Sequence, residues 1–231
     1  MFTFKQFVVK QQLSAMKVGT DGVLLGSWVE TPALCKNILD IGTGTGLVAL
    51  MLAQRFRLPI DAVEIDTDAA FEAKENVDNS PFPEWVRVIN SDIRTFDSRE
   101  KYDLIVCNPP FFVDSMRCPD VKRSQARHSD NLTCEALLSV VERLLSNNGF
   151  FSLIYPINEA DFFVSIAKKK GLYCVRELNV IPTPKHTPKR KLLTFSFENK
   201  PLVSHSLIIE KERHCYTEEY KLLTKDFYLN F

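Results

Sequence analysis

The stretch ILDIGTGTG, residues 38–46, decides the fold of this chain, and a second apolar run at 47–53 follows it directly. An apolar segment, closely spaced glycines and a further apolar segment are typical of a buried strand, a tight turn and a helix. Glycine lets the backbone turn sharply and approach a ligand, and the free N–H groups of the helix point toward the same place. The stretch therefore predicts a βα unit with a ligand at its turn. A turn with a purely structural role is the alternative.

The spacing of the glycines narrows the class of ligand. Gly42, Gly44 and Gly46 follow a GxGxG pattern, whereas dinucleotide-binding proteins carry GxGxxG. Asp40 adds a carboxylate near the end of the strand, and a carboxylate attracts an ammonium group and repels a pyrophosphate. The pattern therefore favours a ligand that carries an ammonium group and disfavours an NAD-dependent oxidoreductase.

Acidic residues also follow the next two predicted strands. The segment 60–66 ends in Glu64 and Asp66, and the strand at 85–89 leads to Asp92. We predict that the carboxylate of Glu64 accepts hydrogen bonds from a ribose, and that Asp66 caps the next helix. Asp92 is a candidate acceptor for an adenine amine, with a role as a turn residue as the alternative.

A further predicted strand, 104–107, ends in the sequence NPPF at 108–111. Pro109 keeps Asn108 out of the helical region, so the asparagine amide and the neighbouring carbonyl are held in one geometry. Two fixed acceptors beside the ring of Phe111 suit a planar nitrogenous group such as a nucleobase. A proline turn after a core strand is the alternative for such a short sequence.

Predicted strands alternate with predicted helices over residues 37–198, an order that favours a doubly wound parallel sheet. Ligands bind such sheets at the carboxyl ends of the strands, which is where the glycines, the acids and NPPF fall. The segments 172–180 and 192–197 have no helix between them, so we predict that they either pair as an antiparallel hairpin or lie apart in the sheet. The helix predicted at 134–145 is expected to end at the C-cap-like sequence NNG, residues 147–149.

A short helix is predicted between the N-terminus and the first βα unit, with Thr20 or Asp21 as its cap. Gly22 and Gly26 leave one side of that helix without side chains. Close packing on a neighbouring element and contact with a ligand both agree with such a bare face.

Two loops carry clustered basic residues, one after NPPF at 112–131 and one rich in proline at 182–191. The first lies beside the predicted site, where it suits a lid or a contact to nucleic acid, and the second suits phosphate contact. Charged surface loops without a partner are the alternative for both. The candidate RNA-binding residues are Arg123, Arg127, Lys189 and Arg190.

Composition limits the class of protein. The chain has 231 residues, and its 29 basic residues balance its 29 acidic ones. No overall field draws it to nucleic acid, so an RNA partner has to be bound by local patches. Its six cysteines show no CxxC spacing, which argues against a structural metal. We expect a cytoplasmic protein without membrane contact, because the N-terminus lacks an apolar signal region and no apolar run is long enough to span a bilayer.

These motifs resemble those of class I S-adenosylmethionine-dependent methyltransferases, with DIGTGTG at 40–46 as the cofactor loop and NPPF as an amino-methylating site. Three more segments, FTFKQF at 2–7, MKVGTDG at 16–22 and YTEEY at 216–220, are similar to the bacterial tRNA1(Val) (adenine-37-N6)-methyltransferase family. The resemblance implies a Rossmann-like α/β fold. Its seven-stranded, mostly parallel sheet would have helices on both faces and one antiparallel strand.

The resemblance also implies a single methyltransferase domain over 1–231. Residues 1–36 would form a hairpin and helix that cover the cofactor site, 37–198 the core, and 199–231 a further strand and helix. The implied cofactor-binding residues are Lys17, Thr20, Asp40, Gly42, Gly44, Gly46, Glu64, Ile65, Asp92, Ile93 and Asn108. The implied catalytic residues are Asn108, Pro109, Pro110 and Phe111. S-adenosyl-L-methionine is the implied cofactor, tRNA the partner, and a monomer or weak homodimer the expected state.

The implied reaction is methylation of the N6 amine of adenine-37 in the anticodon loop of tRNA1(Val). Similar motifs serve glutamine methylation in release factors, but those enzymes are expected to carry a helical domain before the cofactor loop, for which residues 1–37 are too few. Methylation of another exocyclic amine, at guanine N2 or adenine N6 of rRNA, remains open. A non-catalytic RNA-binding module also remains, although a neutral chain has little electrostatic affinity for RNA.

Overall fold

The computed structural model describes residues 1–109 and 132–230. Its strands are β1 (Phe2–Thr3), β2 (Val8–Val9), β3 (Ile38–Ile41), β4 (Ile60–Glu64), β5 (Val86–Asn90), β6 (Tyr102–Cys107), β7 (Leu145–Pro156), β8 (Tyr173–Ile181), β9 (Arg190–Ser196), β10 (Val203–Ile208), β11 (Glu210–Glu212) and β12 (Cys215–Tyr216). Its helices are α1 (Thr20–Trp28), α2 (Leu47–Phe56), α3 (Thr67–Asp78), α4 (Cys134–Leu144), α5 (Ile157–Lys169) and α6 (Glu218–Thr224). Within these two ranges, every helix is too short or too polar to cross a membrane.

Eight strands form one sheet in the order β10-β8-β9-β7-β6-β3-β4-β5. The strand β9 runs antiparallel to both of its neighbours, and every other neighbouring pair is parallel. The predicted mostly parallel α/β sheet with one antiparallel strand is therefore confirmed, as is the hairpin pairing of β8 with β9. The N-terminal hairpin also forms, with Phe2 opposite Val9.

The sheet has one strand more than the expected seven. The strand β10 pairs in parallel with β8, from Val203 opposite Arg176 to Ile208 opposite Ile181, and forms an edge of the sheet. The sequence predicted this strand at 207–210, where the apolar residues are, but its first residues are exposed and mostly polar. An edge strand tolerates polar residues because part of it faces solvent, so hydropathy does not mark where it begins.

The helix predicted at 134–145 forms as α4, but the C-cap predicted at residues 147–149 is wrong. The helix α4 ends at Leu144, and β7 begins at the next residue with a bulge opposite β6, where Tyr102 pairs with Leu145 and Leu104 with Phe150. A Cβ on Gly149 would lie 3.0 Å from the carbonyl oxygen of Asp103. The glycine therefore permits a close approach between two strands, and it does not cap a helix.

The sheet separates two apolar cores, because successive residues of β3 and β6 point to opposite faces. One core contains α2, in which all seven residues from 47 to 53 are buried, because α1 covers the side that the sheet leaves open. The other core contains the apolar faces of α4 and α5. Because helices cover both faces of the sheet, its central strands are apolar on both sides, which explains the unbroken apolar runs in the sequence. The carboxyl ends of the parallel strands remain open.

Candidate active site

A cavity of about 640 Å³ opens over the carboxyl ends of β3, β4 and β6. Its lining comes from the segments that the sequence singled out: the glycine loop, the residues after β4 and β5, and the start of NPPF. Residues 14–17 and the first turn of α1 close the remaining side. The predicted site residues that the structure describes are therefore largely brought together at one place.

The glycine loop forms a bare cradle on the floor of the cavity. Gly42 and Gly44 have φ values of 68° and 55°, and a Cβ on either would meet no atom within 4 Å. Gly46, with φ 80°, is the N-cap of α2, and a Cβ there would lie 3.4 Å from the Cβ of Ala73. The first two glycines thus leave room for a ligand, while the third allows the loop to pack on α3.

Glu64 ends β4 with its carboxylate turned into the loop. It accepts hydrogen bonds from the backbone N–H of Gly44, with an N···O distance of 2.8 Å, and from that of Asp66, at 3.0 Å. Asp66 in turn accepts from the N–H of Ala69 at 2.8 Å, so its predicted role as the cap of α3 is confirmed. Glu64 therefore fixes the glycine loop, and its oxygens keep further lone pairs for hydroxyl donors in the cavity.

Asp40 lies beneath the glycine loop and is 1% exposed. Burial raises the pKa of its carboxyl to about 7, although the hydroxyl of Thr43, which donates to it at 2.6 Å, favours the charged form. An unpaired buried carboxylate is costly, and a cation in the cavity would relieve that cost. The geometry agrees with the predicted preference for an ammonium group.

The loop after β5 supplies the opposite end of the cavity. Ile93 of this loop is buried, Ile65, which follows β4, is 56% exposed, and both line the cavity. Asp92 is held as a turn residue: hydrogen bonds from the Arg94 side chain lower the pKa of its carboxyl, and it also accepts from the Arg94 N–H at 2.9 Å. The pair of apolar residues suits the faces of an adenine ring, with the Asp92 carboxylate close by.

Arg143 of α4 supports this loop from below, a role for which the sequence carried no signal. Its guanidinium donates to the carbonyl oxygens of Phe96 at 2.6 Å, Ile93 at 3.2 Å and Arg94 at 3.3 Å. Arg143 is about 50 residues from these partners along the chain, and only the packing of α4 on the sheet brings them together.

Asn108 follows β6 at the mouth of the cavity. Its Nδ2 atom lies 3.9 Å from the sulfur of Met16, and its Oδ1 atom is buried without a hydrogen-bond partner among the residues that the structure describes. A buried acceptor without a donor costs about 1–3 kcal/mol, so this oxygen favours a ligand that brings an N–H group. Pro109 is buried beside it, while Pro110 and Phe111 lie outside the described residues.

Lys17 and Thr20, the cofactor-binding residues predicted in the N-terminal region, both line the cavity. Thr20 is the first residue of α1, whose cap is Gly19, so neither it nor Asp21 caps the helix as expected. The ammonium group of Lys17 donates to the backbone carbonyls of Gln11 at 2.5 Å and Ser14 at 3.1 Å. Lys17 therefore braces the segment that closes the cavity.

The two glycines of α1 differ in their surroundings. A Cβ on Gly22 would lie 3.0 Å from Leu47 and 3.7 Å from Nδ2 of Asn108, so this glycine both packs on α2 and lines the cavity. A Cβ on Gly26 would lie 2.7 Å from the sulfur of Met51. Gly26 therefore allows α1 to pack closely on α2, and Gly22 does the same while also leaving space in the cavity.

The candidate RNA-binding residues are only partly described. Arg123 and Arg127, together with most of the predicted lid at 112–131, lie outside the described residues. Lys189 is exposed next to β9, and the guanidinium of Arg190 pairs with the carboxylate of Asp21 at 2.8 Å. Over residues 1–109 and 132–230, no cluster of His, Cys, Asp or Glu could hold a metal ion.

Comparison with known proteins decides the family. The sequence profile described as "Methyltransferase small domain" matches residues 13–151. A protein of Bacteroides thetaiotaomicron named tRNA1(Val) (adenine(37)-N6)-methyltransferase is 52% identical over 232 residues, covering 99% of this chain and 97% of its own. This chain belongs to the tRNA1(Val) (adenine(37)-N6)-methyltransferase family. A member from Trichodesmium erythraeum is 46% identical, with 100% of this chain and 98% of that protein covered.

Solved structures show the same fold in more distant proteins. A predicted O-methyltransferase from Agrobacterium tumefaciens superposes with a TM-score of 0.71 at 20% identity, covering 90% of this family member and 96% of that chain. A glycopeptide N-methyltransferase solved with S-adenosyl-L-methionine gives a TM-score of 0.58 at 12% identity, with 80% and 91% covered. These matches confirm the predicted methyltransferase fold.

Proposed function

We propose that this chain transfers the methyl group of S-adenosyl-L-methionine to the N6 amine of adenine-37 in tRNA1(Val). The names of its relatives, several of them 42–52% identical over nearly the whole chain, support the substrate. The observation that carries the chemistry is the buried Oδ1 atom of Asn108 at the mouth of the cavity, which has no hydrogen-bond partner among residues 1–109 and 132–230. An amine acceptor at that place is what methylation of an exocyclic nitrogen requires.

The residues present fit the cofactor. The open cradle of Gly42 and Gly44 leaves space for a ligand to lie against the backbone, and the buried carboxyl of Asp40 suits an ammonium group. We assign Glu64 to the ribose hydroxyls, and Ile65, Asp92 and Ile93 to the adenine of the cofactor. Lys17 and Thr20 complete the wall on the opposite side.

The chain contributes position and polarity to the transfer. We assign the Asn108 side-chain oxygen and the Pro109 carbonyl as acceptors for the N6 hydrogens, and Phe111 as the ring on which the base stacks. Acceptor dipoles stabilise the nitrogen as it becomes cationic, so they favour the transition state over the ground state. When bound, the cofactor would supply a methyl group activated by its sulfonium sulfur, which would keep the electrons of the S–C bond. Asn108 and Pro109 would orient the N6 lone pair toward that methyl group, and water would take the N6 proton.

Contact with tRNA is assigned to the edge of the sheet that carries the cavity. The loop before β9 lies at this edge, because Arg190 pairs with Pro156 at the carboxyl end of β7. Lys189, exposed on that loop, is a candidate for phosphate contact together with Arg123 and Arg127. We assign Arg190 chiefly to holding α1, because Asp21 already neutralises it. From this action on tRNA we infer a cytoplasmic location.

Methylation of defined transcripts tests this proposal. The protein is incubated with S-adenosylmethionine and a tRNA1(Val) transcript, and the digested nucleosides are identified by mass spectrometry. The expected product is N6-methyladenosine, and a transcript with guanine at position 37 should gain no methyl group. Appearance of N2-methylguanosine, or equal methylation of both transcripts, would contradict the assignment.

A further inference from the structure

Residues 10–19 join the N-terminal hairpin to α1 without regular secondary structure, and residues 14–17 form a wall of the cofactor cavity. We refer to residues 10–17 as the cavity strap. Met16 in the strap contacts Asn108, so its position affects both the cofactor space and the amine acceptor. The strap's apolar side chains Leu13 and Met16 are 52% and 43% exposed, so polar groups have to fix its conformation.

One carboxylate holds the middle of the cavity strap. Glu72 of α3 is 2% exposed, and it accepts hydrogen bonds from three successive backbone N–H groups, those of Gln12 at 2.5 Å, Leu13 at 3.0 Å and Ser14 at 2.9 Å. Burial alone would raise the pKa of Glu72, but these hydrogen bonds outweigh it and hold the pKa below its usual value. The carboxylate is therefore charged at neutral pH and satisfied by the strap.

A second residue, one turn further along the same face of α3, fastens the start of the strap to the glycine loop. The side chain of Asn76 accepts from the N–H of Lys10 at 2.8 Å and donates to its carbonyl at 2.9 Å. The same Nδ2 group donates to the carbonyl of Thr45 at 2.9 Å. One buried amide thus ties the strap to the loop that cradles the ligand.

We propose that Glu72 and Asn76 are positioning residues that hold the cavity strap closed over the cofactor. Neither lines the cavity, and neither touches the space where the reaction takes place. They act through the strap, because the wall at 14–17 keeps its place only while the N–H groups of 12–14 have their acceptor. The inference rests on the cofactor site of the proposed function.

The variant Glu72→Gln tests the first of these residues with almost no change in shape. A glutamine offers one acceptor oxygen in place of two, and its NH₂ group would face a backbone N–H donor, so one end of the strap is released. Glu75→Gln is the matched control, because Glu75 is a half-exposed neighbour whose carboxylate pairs only with the Lys10 ammonium group, at 3.4 Å, among its described contacts.

We expect Glu72→Gln to raise the dissociation constant and the KM for S-adenosylmethionine by about tenfold or more, because the closed strap is then less populated. The kcat at saturating cofactor and the KM for tRNA should stay within about twofold, as should every constant of Glu75→Gln. Trypsin should cut after Lys17 faster in Glu72→Gln than in the control, and cofactor should slow that cut. Unchanged cofactor affinity with unchanged cleavage would overturn the inference.

Amide hydrogen exchange on the unaltered protein keeps the inference testable if Glu72→Gln does not fold. The amides of Gln12, Leu13 and Ser14 should exchange slowly, and more slowly still when S-adenosylmethionine is bound. Rapid exchange with and without cofactor would overturn the inference. Failure of the unaltered protein to bind S-adenosylmethionine at all would instead contradict the proposed function, so the two failures are distinct.

Discussion

At the scale of a single residue, the buried carboxyl of Asp40 lowers the stability of the folded protein and offers a charge for binding the cofactor. Its carboxyl is buried, and burial raises its pKa from 3.8 to about 7. Between about pH 4 and 7 the folded protein therefore holds a proton that the unfolded chain releases. The free energy of unfolding falls as the pH rises through this window, and above it the folded protein bears the whole cost of a buried charge.

The variant Asp40→Asn is expected to be more stable than the unaltered protein at pH 8, by up to about 4 kcal/mol, and nearly equal to it at pH 4. Asparagine can still accept the hydrogen bond from Thr43 but carries no charge. Thermal unfolding of both proteins without cofactor, at pH 4 and pH 8, measures the difference. A variant that is less stable at pH 8 would show that Asp40 is not strained by its charge.

Cofactor binding is expected to show the opposite dependence on pH. If the Asp40 carboxylate receives an ammonium group, affinity for S-adenosylmethionine should rise between pH 6 and 8, and binding at pH 6.5 should release up to about one proton. Calorimetry in two buffers of different ionisation enthalpy measures that proton. The variant Asp40→Asn should bind weakly with no proton release, and an unaltered protein that binds independently of pH would contradict the assignment.

Replacement of Glu64 should weaken cofactor binding for two reasons. Glu64→Ala removes the proposed ribose acceptor and also frees the N–H of Gly44, so the glycine loop loses an anchor. We expect the dissociation constant for S-adenosylmethionine to rise by a factor of about 10 to 100, which corresponds to the loss of about one hydrogen bond to a charged group. Titration calorimetry measures it, and an unchanged constant would remove Glu64 from the ribose site.

The sequence predicted the site residues that follow strands. It missed the side chains that hydrogen-bond to loops far away along the chain. Asp40, Glu64 and Asn108 could be found because each lies at or near the end of an apolar run, and the ends of parallel strands meet at one edge. Glu72 and Arg143 look like ordinary polar residues of surface helices. Their partners lie about 50 to 60 residues away along the chain, and only the folded structure determines which carboxylate or guanidinium meets which loop.

The packing of α1 on α2 is the decisive contact at the scale of elements. The bare side of α1 lets the two helices approach closely: a Cβ on Gly26 would lie 2.9 Å from the Cβ of Met51, and α1 then carries Gly22 to the side chain of Asn108. The alternation of elements predicted most strands and helices correctly. The bulge at Gly149 was missed because the sequence NNG suits a helix end as well, and only the close carbonyl of Asp103 distinguishes the two.

Gly26→Ala is expected to destabilise the protein by about 1–3 kcal/mol, although alanine has the higher helix propensity, because the added methyl forces the helices apart. Chemical denaturation measures this change. The double variant with Met51→Ala should lose less stability than the sum of the two single losses, since the two substitutions act on one contact. A Gly26→Ala protein as stable as the parent would show that the helices are not closely packed.

At the scale of the whole molecule, the sheet topology gathers the site from distant parts of the chain. The order of β6, β3 and β4 brings Asn108, the glycine loop and Glu64 side by side, while residues 14–17 close the cavity from the N-terminus. The loop with Lys189 lies at the same edge. Cofactor, target base and RNA backbone are therefore expected at the carboxyl ends of the parallel strands. The amino ends of these strands are free for structural packing.

The nucleoside content of tRNA1(Val) from cells with and without the protein tests the proposed reaction and the role of Asn108 most directly. Mass spectrometry should find N6-methyladenosine at position 37 when the protein is present and adenosine when it is absent. Expression of the unaltered chain, or of Asn147→Ala with its exposed asparagine changed, should restore the modification, whereas Asn108→Ala should not. Modification that persists without the protein, or full restoration by Asn108→Ala, would contradict the assignment of the site.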